Sequence, residues 1–112
     1  MPSDTDDGGL RLSARALRLG YRLGSDTLLV LLDLAVHATD SADGVVVTAS
    51  YRDIARRVGL SKDTVGRRMA LLRRAGVVLD RCAESVGRFD ARSYRLDLDH
   101  AGVTRERLYV EL

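Results

Sequence analysis

Between Tyr51 and Arg81 the chain sets nine basic side chains (Arg52, Arg56, Arg57, Lys62, Arg67, Arg68, Arg73, Arg74 and Arg81) against three acids, Asp53, Asp63 and Asp80. This surplus of six charges sits in a chain of net charge +2, so the remaining residues carry a net −4. A guanidinium presents a planar fork of N–H donors that fits two oxygens at once, on a phosphate or on the edge of a base. Concentrated on one segment of an acidic body, such groups point to a polyanionic partner. Abundance alone proves little. Lys62 is the only lysine among 18 Lys and Arg, which leaves 17 arginines, while Asn and Gln are absent and Ile54 is the only isoleucine. That composition looks like coding bias, so position within the fold must carry the argument.

No other group of side chains has the spacing of a catalytic or metal centre. His37, His100 and Cys82 lack metal-ligand spacing. Asp33 and His37 stand four apart, as a surface pair on a helix would. A lone cysteine excludes an intramolecular disulfide and fits a reducing cytoplasm. There is no nucleophile–base pair, phosphate loop or carboxylate dyad, so no enzyme, cofactor or small-molecule ligand is expected. The N-terminal "MPSDTDDGG" has no apolar run of the signal-peptide kind. The stretch Leu28–Val36 is interrupted by Asp33 and is too short to span a bilayer. The expectation is a cytoplasmic protein with no membrane contact.

The elements that must position the basic residues follow from punctuation and periodicity. Residues 1–9 are acidic and poor in apolar groups, and disorder is expected there. Leu12, Ala16, Leu19 and Leu23 recur near helical spacing and predict a helix over Ser13–Tyr21. Gly24 breaks it, and Ser25 is placed to cap the next helix, Asp26–Thr39. That second helix is apolar nearly all round, which suits the centre of a core or a seam with a second subunit. "DSADG" reads as a turn and "VVVT" as a short strand. Ser50 and Asp53 form a capping-box pattern ahead of a brief helix, Tyr51–Val58, and Gly59 suits a left-handed C-cap. Ser61 caps again at once, giving a helix over residues 61–75 that stops at Gly76. "VVLDR" and "SYRLDL" then read as two strands joined by a polar connection. "TRERLYVEL" is compatible with either a helix or a strand. The domain is expected over residues 10–98, with 99–112 as a tail in possible dimer contact.

Two short helices joined by a tight turn, with Ala55 small at their crossing and Ile54, Val58, Leu60, Val65, Met69 and Leu72 sharing a core, have the layout of a helix-turn-helix. The segment "YRDIARRVGLSKDTVGRRMALLRRAGVV" resembles the winged helix-turn-helix of bacterial transcription regulators, especially the GntR-like and MarR-like kinds. "GVVLDR…GRFDARSYRLDL" resembles the wing that follows. The likeness covers roughly Ser25 to Leu98 and rests on Ala55, Gly59, Ser61, Val65, Leu72 and Gly76. It implies a mainly α fold with a small β-wing (α+β), with the recognition helix in the major groove of double-stranded DNA. Two residues depart from the pattern: Asp63, where a neutral polar residue is usual, and Arg68, where a small one is common. Too little chain remains for the effector domain usual in the GntR-like kind.

Helical geometry then assigns roles. With Val65, Met69 and Leu72 buried, Lys62, Asp63, Gly66, Arg67, Ala70 and Arg74 fall mainly on the opposite side. Gly66 and Ala70 are small, as close approach to a groove floor would require. Ser61, Thr64 and the helix N-terminus can meet phosphates. Arg67 is placed for a bidentate guanine contact, with Lys62 second. Asp63 can accept from a cytosine amino group or orient Arg67. Without Asn or Gln, the readout is weighted to G·C pairs. Ser50, Tyr51 and Arg52 are expected at backbone phosphates. In the wing, 81–92, Arg88 and Arg92 are expected at a phosphate or the minor groove, with Arg81 a weaker contact. Arg68 sits on the helix flank, where an acid could pair with it instead. Arg56, Arg57, Arg73 and Arg74 fit equally well as merely solvated groups. The functional expectation is a homodimeric repressor. A plasmid or phage replication or partition factor is the second DNA-binding reading. A winged-helix adaptor without DNA binding is the rival from another class, against which the basic surplus argues.

Overall fold

The computed structural model describes residues 9–81 and 91–106. In chain order the elements are β1 (Gly9–Leu12), α1 (Ala14–Leu23), α2 (Ser25–His37), β2 (Thr39–Ser41), β3 (Gly44–Ala49), α3 (Tyr51–Val58), α4 (Lys62–Arg74), β4 (Val78–Asp80), β5 (Arg92–Leu96), α5 (Leu98–Ala101) and β6 (Val103–Glu106). One antiparallel sheet has the order β2-β3-β5-β4, and β1 pairs with β6 in a second. The register places Val47 opposite Tyr94, and Val78 opposite Leu96.

The α2 helix is the hub. Val30, Leu31, Leu34 and Ala35 are wholly buried and meet Ile54 of α3, Val65, Met69 and Leu72 of α4, and Tyr94 of β5 in one core. Val58 and Leu60, expected in that core, flank it half-buried. The three buried positions of α4, Val65, Met69 and Leu72, recur at the 3.6-residue period, and helices as short as α3 and α4 are stable only as packed pieces.

Several boundaries differ from the sequence reading. Ser13 is the N-cap of α1, its Oγ accepting from the Arg15 amide, and the helix runs on to Leu23. Ser25 does not cap α2: Gly24, at φ 103°, takes the N-cap position with no side-chain bond, and Ser25 is the first helical residue. The α2 N-terminus is instead tied down by Thr27, whose buried hydroxyl donates to the Leu23 carbonyl at 2.9 Å. The helix ends at His37, because Thr39 is drawn into β2; the expected "DSADG" turn is therefore narrower, a hairpin closing over Ala42 and Asp43. Of the stretch "TRERLYVEL", open to either reading, Thr104–Glu106 belong to strand β6, which lies against β1, and 107–112 lie outside the described residues. Among the described residues no helix is long and apolar enough to cross a membrane.

Candidate nucleic-acid interface

Two serine caps and one glycine build the motif. Ser50 Oγ accepts from the Asp53 amide at 3.0 Å and starts α3. Gly59 ends it at φ 78°, ψ 30°, a left-handed conformation that costs a residue with a Cβ about 1 kcal/mol or more. Ser61 Oγ then accepts from the Thr64 amide at 3.1 Å and starts α4, which runs Lys62–Arg74 with Ala75 as C-cap. Lys62 and Asp63 open this Ser61-capped helix at its N-terminus, where the dipole favours an anion.

A polar chain crosses that end. Ser61 Oγ donates to Thr64 Oγ1 at 2.9 Å, and Arg67 Nη2 donates to the same Thr64 oxygen at 3.2 Å. Thr64 accepts twice, which leaves its own hydroxyl hydrogen for an outside acceptor. Arg67 is thus oriented by Thr64, where orientation by Asp63 was one of the two roles open to that acid.

The nine basic residues divide sharply. Arg57 grips Asp33 of α2 with Nε and Nη2, each at 2.9 Å. Asp33 is almost buried, and its bond raises the Arg57 pKa against an opposing effect of burial. The same carboxylate lies 3.6 Å from His37, so the expected surface pair exists as the minor part of a three-residue cluster. Arg56 pairs with Asp53 at 3.5 Å, Arg73 with Asp80 at 3.0 Å and Arg81 with Asp43 at 2.7 Å. Arg68 turns away from the exposed face to lie 3.8 Å from Asp26, its Nε buried. It is a bridge to α2, as its flank position allowed. Four of the nine have no ion pair with any described residue: Arg52, Lys62, Arg67 and Arg74. Arg92, at the base of the wing, is likewise exposed and without one. These five lie at the start of α3, the start and outer face of α4, and the first residue of β5.

Three further expectations change. Ser50 is 1% exposed with its oxygen engaged as the cap, so its hydroxyl cannot reach a phosphate. Tyr51 is half-buried, and its hydroxyl accepts from Arg73 Nη2 at 3.0 Å. Gly66 is small for an internal reason: a Cβ there would lie 3.3 Å from Tyr51 Cε2, so the missing side chain lets the Tyr51 ring pack on α4. Ala70 does remain on the exposed face between Arg67 and Arg74. Arg88 and Cys82 lie outside the described residues, as does the wing turn. Strands β4 and β5 supply the base of the wing, with Asp80 opposite Tyr94.

A family described as winged helix-turn-helix DNA-binding matches residues 48–78, the segment from the end of β3 to the start of β4. Comparison with curated proteins and with solved structures gave no match. The matched segment and the architecture around it agree: the chain folds as a winged helix-turn-helix, and residues 48–78 are similar to those of a DNA-binding family.

Proposed function

We propose that this protein is a cytoplasmic, sequence-specific regulator of transcription, a homodimeric repressor of the broad GntR-like or MarR-like kind. It sets α4 in the major groove and the wing on the flanking backbone. The observation that carries this is the sorting of the cations. Five of the nine basic residues in the motif are held by acids of the same chain. Those left without an acid stand at the positions a helix-turn-helix turns toward DNA. Arg67 reads guanine, Lys62 and Thr64 hold phosphates at the helix N-terminus, and Arg52, Arg74 and Arg92 hold the backbone on either side.

The dimer is supported by a second observation. Among the described residues, four of the five large apolar side chains that remain exposed are Leu17 and Tyr21 of α1, and Leu29 and Val36 of α2. At 100° per residue, Leu29 and Val36 share one stripe of α2, and Leu17 and Tyr21 share one stripe of α1. Tyr21 is 82% exposed, an unusual position for an aromatic residue in a monomer. A two-fold partner on this face would bring two recognition helices to successive half-sites, and repression would follow from occupancy.

The test is binding to duplex DNA at rising salt, for the wild type and for Arg67→Ala. Tight, salt-sensitive binding to a defined site that Arg67→Ala weakens supports the reading. Absence of DNA binding at low salt rejects it in favour of a protein-interaction module.

A further inference from the structure

We propose that Arg73 is a positioning residue that joins the recognition helix, the start of α3 and the wing strands into one body, so that the major-groove and wing contacts form together. This rests on the DNA-binding reading above. Arg73 lies on α4 beside Arg74, but its guanidinium turns inward along the flank. Its Nε donates to Asp80 Oδ1 of β4 at 3.0 Å, and its Nη2 donates to the Tyr51 hydroxyl of α3 at 3.0 Å. Its Cζ stands 5.8 Å from the centre of the Tyr94 ring on β5. One planar group therefore touches the three elements that must hold their places relative to α4.

The surroundings show how firmly the group is held. Its side chain is 31% exposed; burial lowers its pKa, but the bonds to Tyr51 and Asp80 outweigh that and raise it. The Tyr51 ring packs close against the backbone of Gly66, where a Cβ would stand 3.3 Å from Cε2. Tyr94 is wholly buried, and its ring, under the Arg73 guanidinium, serves as a platform for the cation. A lysine cannot reproduce this arrangement. Its single ammonium has no fork to place one N–H on Asp80 and another on Tyr51 across a stacked plane.

The consequence is specific to binding. Strand β4 has only three residues, Val78–Asp80, and pairs with β5, which starts at Arg92. The wing cation Arg92 begins β5 opposite Ala49 of β3, and β4 lies along the other edge of β5 with its outer end tied to α4 through Arg73 and Asp80. Releasing the tie leaves Arg67 in place on its own helix and lets the wing strands shift against α4, carrying Arg92 with them from the backbone.

The experiment compares wild type, Arg73→Lys, Asp80→Asn and Tyr51→Phe on a duplex selected for wild-type binding. The readouts are guanine methylation protection in the major groove, hydroxyl-radical protection of the flanking backbone, and the salt slope. Amide exchange of Val78–Asp80 in the free protein gives a readout without DNA. In Arg73→Lys, guanine protection is expected to persist while flanking protection fades and the slope falls by about two units per dimer. Exchange of β4 should quicken while α2 stays protected. Each single-arm variant should reproduce part of this, which keeps the test sound if Arg73→Lys fails to fold. Unchanged flanking protection and slope, in a protein where Arg92→Ala reduces both, would overturn the proposal. Unchanged β4 exchange would overturn it without reference to DNA. A wild type that protects no duplex while β4 exchange still quickens would refute the DNA reading and leave only the tie.

Discussion

Arg74→Ala and Arg57→Ala remove the same unit of charge from the same motif, yet they should act differently on DNA. Arg74 is exposed on the outer face of α4 and has no ion pair with a described residue, whereas Arg57 is clamped on Asp33 through Nε and Nη2. Each phosphate neutralised contributes about 0.9 to the slope of log K against log salt. A two-fold complex contains two copies of Arg74, so Arg74→Ala should lower the slope by about 1.8. Over a fourfold rise from about 50 to about 200 mM salt, that slope difference amounts to roughly a 12-fold smaller loss of affinity. Arg57→Ala should leave the slope within error. It should instead lower stability by about 1–2 kcal/mol, because it strands a nearly buried carboxylate between α2 and α3. Fluorescence anisotropy titrations at five salt concentrations, paired with urea denaturation, measure both quantities. Equal slope losses in the two variants would show that DNA senses overall charge, and the sorting of cations into held and free would then have no functional meaning.

Tyr94→Phe removes a buried hydroxyl that makes no well-formed hydrogen bond to a described residue and keeps the ring under Arg73, so stability at neutral pH should be unchanged or higher by up to about 1 kcal/mol in urea denaturation. Burial pushes the Tyr94 phenol up to about 12, with Tyr51 and Asp80 adding to the effect and Arg73 opposing it. Above the ordinary value near 10, the unfolded chain sheds this proton first, so the wild type should lose stability between pH 10 and 12 and Tyr94→Phe should be spared that part. Val36→Glu places a charge on a side chain that is 61% exposed, so it should preserve the fold while shifting sedimentation from dimer to monomer and reducing binding to a single half-site. Gly102→Ala should be severe, by about 3 kcal/mol or more in thermal denaturation. Gly102 holds φ 80°, and a Cβ there meets Ser13 Oγ, Arg15 Cβ and the Ala16 amide nitrogen, the last at 2.9 Å.

The motif was legible because its signals are local. Ser50, Gly59 and Ser61 announce their caps by residue type, and the α3 bounds Tyr51–Val58 follow directly. Val65, Met69 and Leu72 give the buried side of α4 by period alone. What escaped was long-range. Nothing near Gly9–Leu12 marks it as a strand, because its partner, Val103–Glu106, lies more than ninety residues away. Gly66 reads as a groove-facing residue until Tyr51 is seen against it, fifteen positions earlier. The basic row was visible as a charge surplus, but its division was not. The acids that hold Arg57, Arg68 and Arg81 are Asp33, Asp26 and Asp43, all on elements preceding the motif. Arg68 could be placed on the flank from its helical angle, and only the packing of α2 supplied its partner.

The central claim is that the free cations of α4 read a sequence. Its most direct measurement is selection from a pool of random duplex DNA, with wild type and Arg67→Ala run in parallel and enriched sequences compared. The expected result is a G·C-weighted inverted repeat whose guanine preference at one position per half-site disappears in Arg67→Ala. No enrichment in the wild type, or the same enriched site in both proteins, would contradict it.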